Sequence, residues 1–271
     1  MQADLKLLKQ VLYWACTVIG AESRPWLDRN PLADVEIAGE SDVRRPVASQ
    51  ERFLATRRAM QEMRLKYELE AEQELRPNAR RRAKARARSW LRADLALVLL
   101  EGTGRRRGAV ASLRWDDVGF EQHRITWRAE SDKKRKSWRV VYSASFLEEV
   151  QSFKDRLSAE GGCVFPQADD PNAPIKPELI SQWVLKAEAA AGLPNLEGGL
   201  CHPYRRKWRS ERSHHPVKSV AQAGGWSDLV TMLNCHDIPD DDAILAVTSE
   251  PRRRWEKPEN RTNAVAAAEP S

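Results

Sequence analysis

The chain has 271 residues, 41% of them hydrophobic and 31% charged, a composition that suits a water-exposed globular protein of one large domain or two modest ones. No apolar run approaches the ~20 residues that cross a bilayer, and the opening MQADLKLLKQVLYWACTVIG, broken by Asp4, Lys6 and Lys9, lacks the apolar block and cleavage site of a secretory signal. A net charge of +6, from 45 Lys and Arg against 39 Asp and Glu, favours a polyanionic partner.

Leu5, Leu8, Leu12, Ala15 and Ile19 recur at helical spacing, which predicts an amphipathic helix over 3–19. WLDRNPL (26–32) reads as a turn, and EIAGESDVRRP (36–46) as a linker. Helical periodicity resumes over 50–75 and is interrupted by Pro77 and Asn78. A further helix spans 80–104, densely basic and alanine-rich at first, then apolar, and stopped by Gly102 and Gly104. The period then changes. RITWRAE (124–130) alternates, SWRVVYS (137–143) is β-rich, and the charged SDKKRK (131–136) between them predicts a hairpin turn. Helices are predicted at 145–159, 179–192, 202–212, 216–225, 229–236 and 241–247, with a polar tail expected to be disordered.

The cysteines, Cys16, Cys163, Cys201 and Cys235, are scattered, form no CxxC pair and read as reduced thiols of a cytoplasmic protein. Cys201-His202 and Cys235-His236 lack the spacing of zinc ligands. The basic run 80–88 reads equally as a solvated helix face or as a contact to a phosphate backbone.

Four pieces make a joint pattern. In TGRRRGAVASLRWDDV (103–118) an arginine follows a glycine turn at the start of an apolar helix. A lysine lies in the hairpin turn some way downstream. His202-Pro-Tyr-Arg205 sets His and Arg three apart, on one helical face. Gly224-Gly225-Trp226 opens a short helix that runs into LNCHDIPDDD.

Together these resemble the tyrosine recombinase (phage integrase) family, over about residues 45–255. The resemblance implies a mainly α fold with a small antiparallel β-sheet (α+β), of the tyrosine recombinase catalytic-domain type. It implies residues 1–35 as a remnant of the helical core-binding domain, 36–46 as linker, 47–255 as the catalytic domain and 256–271 as a disordered tail. Arg106 matches the family's first catalytic arginine, Lys133 the hairpin lysine (with Lys134 beside it), His202 and Arg205 the His-x-x-Arg pair, and Trp226 the position that is His or Trp. Ala109 stands where many members have Glu. His236 occupies the position of the nucleophilic tyrosine, in Cys-His-Asp-Ile-Pro-Asp where members of the Gly-Gly-Trp type carry a Cys-Tyr-Gln-x-Pro-Asp-like stretch.

The chemistry suits phosphoryl transfer. Two guanidiniums can fork hydrogen bonds onto the non-bridging oxygens of a phosphodiester, and such preorganised donors stabilise charge in the transition state. Histidine can take a nucleophile's proton and lysine can protonate the leaving 5′ oxygen. No cofactor or metal is expected. The implied partners are double-stranded DNA and a homo-tetramer assembled on it, without membrane or small-molecule substrate, in a cytoplasmic, DNA-associated protein. With His236 in place of the tyrosine, the expectation is a site that binds the scissile phosphate and cleaves it poorly. A non-catalytic DNA-binding remnant of an integrase is the alternative, and a basic helical protein-interaction adaptor the second alternative.

Overall fold

A computed structural model describes residues 2–19, 24–36, 45–131 and 135–236. The chain divides into two compact units, Met1–Arg44 and Arg45–Ser271.

The first unit is built on α1 (Gln2–Thr17). Its following turn is tied back by polar groups. Asn30 donates to the Lys9 carbonyl at 3.1 Å and accepts from Leu32 N–H at 2.9 Å, and Lys9 Nζ donates to the carbonyls of Ala33 and Val35 at 2.9 and 3.0 Å. The predicted helix forms, but it ends before Ile19, and Leu5, Leu8 and Ile19 of its apolar stripe are exposed.

The second unit is organised around a helical hairpin of α2 (Gln50–Gln73) and α3 (Pro77–Thr103). Ser49 caps α2 by accepting from the Arg52 N–H at 3.1 Å. Pro77 starts α3 instead of merely ending its predecessor, because the first helical position needs no N–H and proline's fixed φ suits it. The two halves of α3 are unlike. From Leu91 to Leu100 nearly every side chain is buried, and α2 and four later helices pack on this helix. Residues 80–88 instead expose Arg80, Arg81, Arg82, Lys84, Arg86 and Arg88. The first turn of α3 has no acid and no side-chain cap, so Arg80 faces the positive end of the helix dipole uncompensated. Like-charged pairs four apart, such as Arg80–Lys84 and Lys84–Arg88, each cost about 0.2–0.5 kcal/mol. The interspersed alanines, the best helix formers, offset this.

α3 ends at Gly104, whose φ of 62° closes the helix in the left-handed conformation with its N–H on the Leu100 carbonyl. A Cβ there would sit 2.5 Å from the Trp208 ring. After α4 (Arg107–Ala111) come three antiparallel strands in the order β1 (Val118–Gly119), β2 (Arg124–Trp127) and β3 (Trp138–Val141). The expected hairpin is therefore present with a third, two-residue strand, too short to leave a periodic signal. Its register sets Ile125 opposite Val140 and Trp127 opposite Trp138, with Ile125 and Trp127 turned into the core. Helices α5 (Ala144–Arg156), α6 (Pro177–Ala190), α7 (His202–Ser210), α8 (Val217–Gly224) and α9 (Leu229–His236) complete the described fold. The fold is mainly helical with one small sheet, as the sequence predicts. Among the described residues no helix is long and apolar enough to cross a membrane. The predicted helix 241–247 and the tail lie outside the described residues.

Candidate active site

The N-termini of α4, α6 and α7 meet around a cleft of about 510 Å³ lined by Arg106, Arg107, Gly199, Cys201, His202 and Arg205, among others. Consecutive residues enter it differently. Arg105 is buried, and its guanidinium lies over the rings of Trp127 and Trp138 at 5.2 and 5.5 Å while donating to the Gln222 carbonyl at 3.1 Å. Arg106, the N-cap of α4 with extended backbone, is exposed and reaches the same 222–225 turn, with Nη1 3.4 Å from the Gly225 carbonyl it donates to. Arg107 donates to Ser181 Oγ at 2.6 Å and pairs with Glu178 at 3.2 Å. All three line the cleft, and their partners differ: Arg105 is held by two indoles and a carbonyl, Arg106 by one carbonyl, and Arg107 by two side chains of α6.

Arg205 is 2% exposed. Its Nη1 donates to the carbonyls of Gly104 and Gly224, and its guanidinium lies 3.5 Å from the Trp226 ring centre. Trp226 in turn stacks on Trp208 at 5.9 Å, and Trp208 Nε1 donates to the Gly102 carbonyl at 3.0 Å. This pile of planar groups requires bare backbone between its layers. A Cβ on Gly224 would lie 1.9 Å from the Trp226 ring and 3.0 Å from that of Trp208. Met232 of α9 packs into the same cluster with Val220 and Ala221, so the helix that ends at His236 is anchored on the aromatic stack beneath Arg205.

His202 stands at the cleft mouth, one turn from Arg205. Partial burial of its ring, and after it the charges of Arg206, Arg205, Arg106 and Arg107, hold its pKa below the ordinary value. At neutral pH it is an uncharged imidazole, able to accept a proton. Cys201, also on the cleft wall, is the reverse case. Burial pushes its thiol up to about 11, which leaves little thiolate to attack anything.

The structure thus brings four of the sequence-selected residues to one corner: Arg106, His202 and Arg205 around the cleft, and Trp226 under Arg205. Lys133 and Lys134, which follow β2 and precede β3 in the sequence, lie outside the described residues. His236 is the last residue of α9, and its side chain lies outside what is described. None of the four tyrosines lines the cleft. Tyr204 donates to Glu188 at 2.7 Å and lies 3.0 Å from Thr56 Oγ1. The Tyr142 hydroxyl accepts from Trp127 Nε1 at 3.1 Å, Tyr67 lies under Arg86 on the helical hairpin, and Tyr13 belongs to the first unit. Sequence reasoning missed the clamp on Arg105. The visible signal was two tryptophans facing each other across the hairpin.

Residues 79–235 match the phage integrase family model. No curated protein matches the chain. Among solved structures, the XerH site-specific recombinase bound to a palindromic difH substrate, in a post-cleavage complex, has a TM-score of 0.59 at 15% identity, over 91% of this chain and 65% of that one. The XerA recombinase gives 0.53 at 15% identity, over 78% and 66%. A lambda integrase tetramer bound to a Holliday junction gives 0.56 at 16% identity, over 87% and 59%. The chain spans just under two thirds of the length of the first two and less of the third, and at these identities the likeness is one of fold. With more than half of its residues matched by the family model and the expected arginines and histidine gathered at one cleft, the chain belongs to the phage integrase family, the tyrosine recombinases.

Proposed function

We propose that this chain binds duplex DNA and seats one backbone phosphate between Arg106, His202 and Arg205, as a site-specific recombinase-type protein whose cleavage chemistry is impaired. The observation that carries the reading is the convergence of two guanidiniums and a neutral imidazole on one cleft, with the second guanidinium fixed by carbonyls and an indole ring. A phosphodiester entering the cleft meets fork-shaped donors on its non-bridging oxygens, and rigid donors lose little on binding. Trp226 sets the plane of Arg205. In full strand transfer, a nucleophile attacks phosphorus, its proton passes to His202, the bond to the 5′ oxygen breaks, and Lys133 returns a proton to that oxygen. The chain's DNA is then held through a 3′ phosphoryl link until the reverse step.

The impairment rests on the attacking group. His236 fills the tyrosine position, and its ring nitrogen reaches roughly 1–2 Å less far than a phenol oxygen, where a displacement of ~1 Å costs about 10²-fold. Attack by imidazole also leaves a phosphoramidate instead of a phosphodiester. The neighbouring Cys235 offers a thiolate as a second possible attacker. A homo-tetramer on DNA, with residues 241–255 docking on a neighbouring copy, belongs to the same reading, as does the domain division at 36–46. The non-catalytic alternative shares the cleft and differs only in having no attacker.

Nicked duplex incubated with the chain and run on a denaturing gel tests this. The expected result is retained binding with little or no covalent adduct, and gain of an adduct in His236→Tyr. A strong adduct that disappears in His236→Ala would overturn the impairment. No duplex binding at low salt would overturn the reading as a whole.

A further inference from the structure

We propose that the N-terminal half of α3 is a second contact for the phosphate backbone of duplex DNA, separate from the cleft. The placement is the first observation. Arg80, Lys84, Arg88 and Arg92 recur every fourth residue and form one stripe about 18 Å long, and roughly 22 Å of helix rise separates Arg88 from the end of α3 beside the cleft. The stripe edges a cleft of about 480 Å³ between α2, α3 and the C-terminal end of α5, lined by Arg80, Lys84, Arg88 and Arg156. Glu68 and Glu72 of α2 also face it, and Glu68 is already held by Arg64 at 2.7 and 2.8 Å.

The second observation is the lack of carboxylate partners, although Arg88 donates to the Leu157 carbonyl and Arg86 lies over the Tyr67 ring. Residues 77–93 carry seven cations and no acid. Among the described residues, none of Arg80, Arg81, Arg82, Lys84, Arg86, Arg88 and Arg92 forms an ion pair. Arg92 Nε is buried with no hydrogen-bond partner, and its pKa is lowered, first by burial and then by Arg88 beside it. Arg156 is lowered likewise, by burial and then by Arg64. A helix that breaks the dipole rule, the spacing rule and the pairing rule over one stretch has a structure-independent reason for that charge. A polyanion satisfies all three conflicts at once. A rigid row of point charges without convergent base-reading amides selects phosphate, not sequence. Duplex DNA is the polyanion the same chain is built to meet at its cleft, so the stripe rests in that respect on the reading above.

The test is fluorescence anisotropy with a labelled random duplex of about 20 base pairs, over roughly 50–200 mM salt. In Arg80→Gln/Lys84→Gln/Arg88→Gln the slope of log affinity against log salt should fall by about 2.7, three phosphate contacts at 0.9 each, whereas Arg106→Ala should lower it by about 1. In the unaltered chain, Lys84 should be protected from acetylation by the duplex, which keeps the proposal testable should the triple variant misfold. An unchanged slope in a folded triple variant, or equal acetylation of Lys84 with and without duplex, overturns it. If Arg106→Ala alone weakens binding, the cleft reading survives and the second contact does not.

Discussion

Two basic stretches of this chain look alike in sequence and meet opposite fates. In α7, Arg205, Arg206, Lys207 and Arg209 are 2%, 5%, 3% and 0% exposed, while in α3 the six cations of residues 80–88 all face solvent. The difference lies in what surrounds them. Tyr204 and Trp208 sit four apart in α7, so no face of the helix is free of either a ring or a cation, and burying the rings draws the cations inward. Acceptors wait there. Arg206 donates to the Pro46 carbonyl at 3.0 Å, Lys207 pairs with Glu101 at 2.7 Å and with Glu211, and Arg205 reaches two glycine carbonyls. A buried cation without such partners would be prohibitive. The basic half of α3 has alanine between its cations instead, and alanine has too little surface to pull them in. Charge density alone does not decide whether a run is interior or surface; the apolar residues threaded through it do.

Three changes break or sharpen that contrast. The largest effect is expected at Glu188, buried beneath α7, which takes a fork from Arg52 at 2.9 and 2.7 Å and the Tyr204 hydroxyl at 2.7 Å. Glu188→Ala leaves the buried Arg52 charge without its carboxylate, with only the Pro194 carbonyl, and Tyr204 with only Thr56; it should cost about 3–5 kcal/mol in urea unfolding, and a cost under about 1 kcal/mol would mean that α7 does not depend on its interior partners. A smaller effect is expected from His202. Its folded pKa lies below the ordinary 6.5, so between the two values the unfolded chain binds more protons. Stability should therefore be greatest above that pH and decline as pH falls through it towards the lower folded value. His202→Gln should flatten this part of the profile, and an identical profile in the variant would remove the assignment. The smallest effect is expected in α3, where Arg80→Glu should raise stability by about 0.3–1 kcal/mol by placing an acid in the first turn of the helix. A loss of stability there, read as a lower Tm, would show that the exposed cations hold the fold after all.

Much of the site was legible because its chemistry depends on spacing. His202 and Arg205 three apart, and an arginine two residues past a helix-ending glycine, need no tertiary information to be noticed. The helical character of the unit and its hairpin were equally readable from period. What was hidden depends on partners far along the chain. Nothing local to Arg105 reveals that Trp127 and Trp138 will close over it, and nothing local to Lys207 reveals Glu101. Pro77 was misleading because proline both ends and begins helices, and only the run that follows distinguishes the two. The exposed stripe of α1 misled in the other direction: helical spacing predicts a helix, but not what covers it.

Arg105 and Arg106 are neighbours that both reach the turn at 222–225, one buried against two indoles and the other exposed at the cleft. The count of residues between Gly104 and the first turn of α4 is therefore as strictly set as their identities. Inserting a single alanine there would put both guanidiniums out of register with the carbonyls of Gln222 and Gly225, with every side chain of the corner still present.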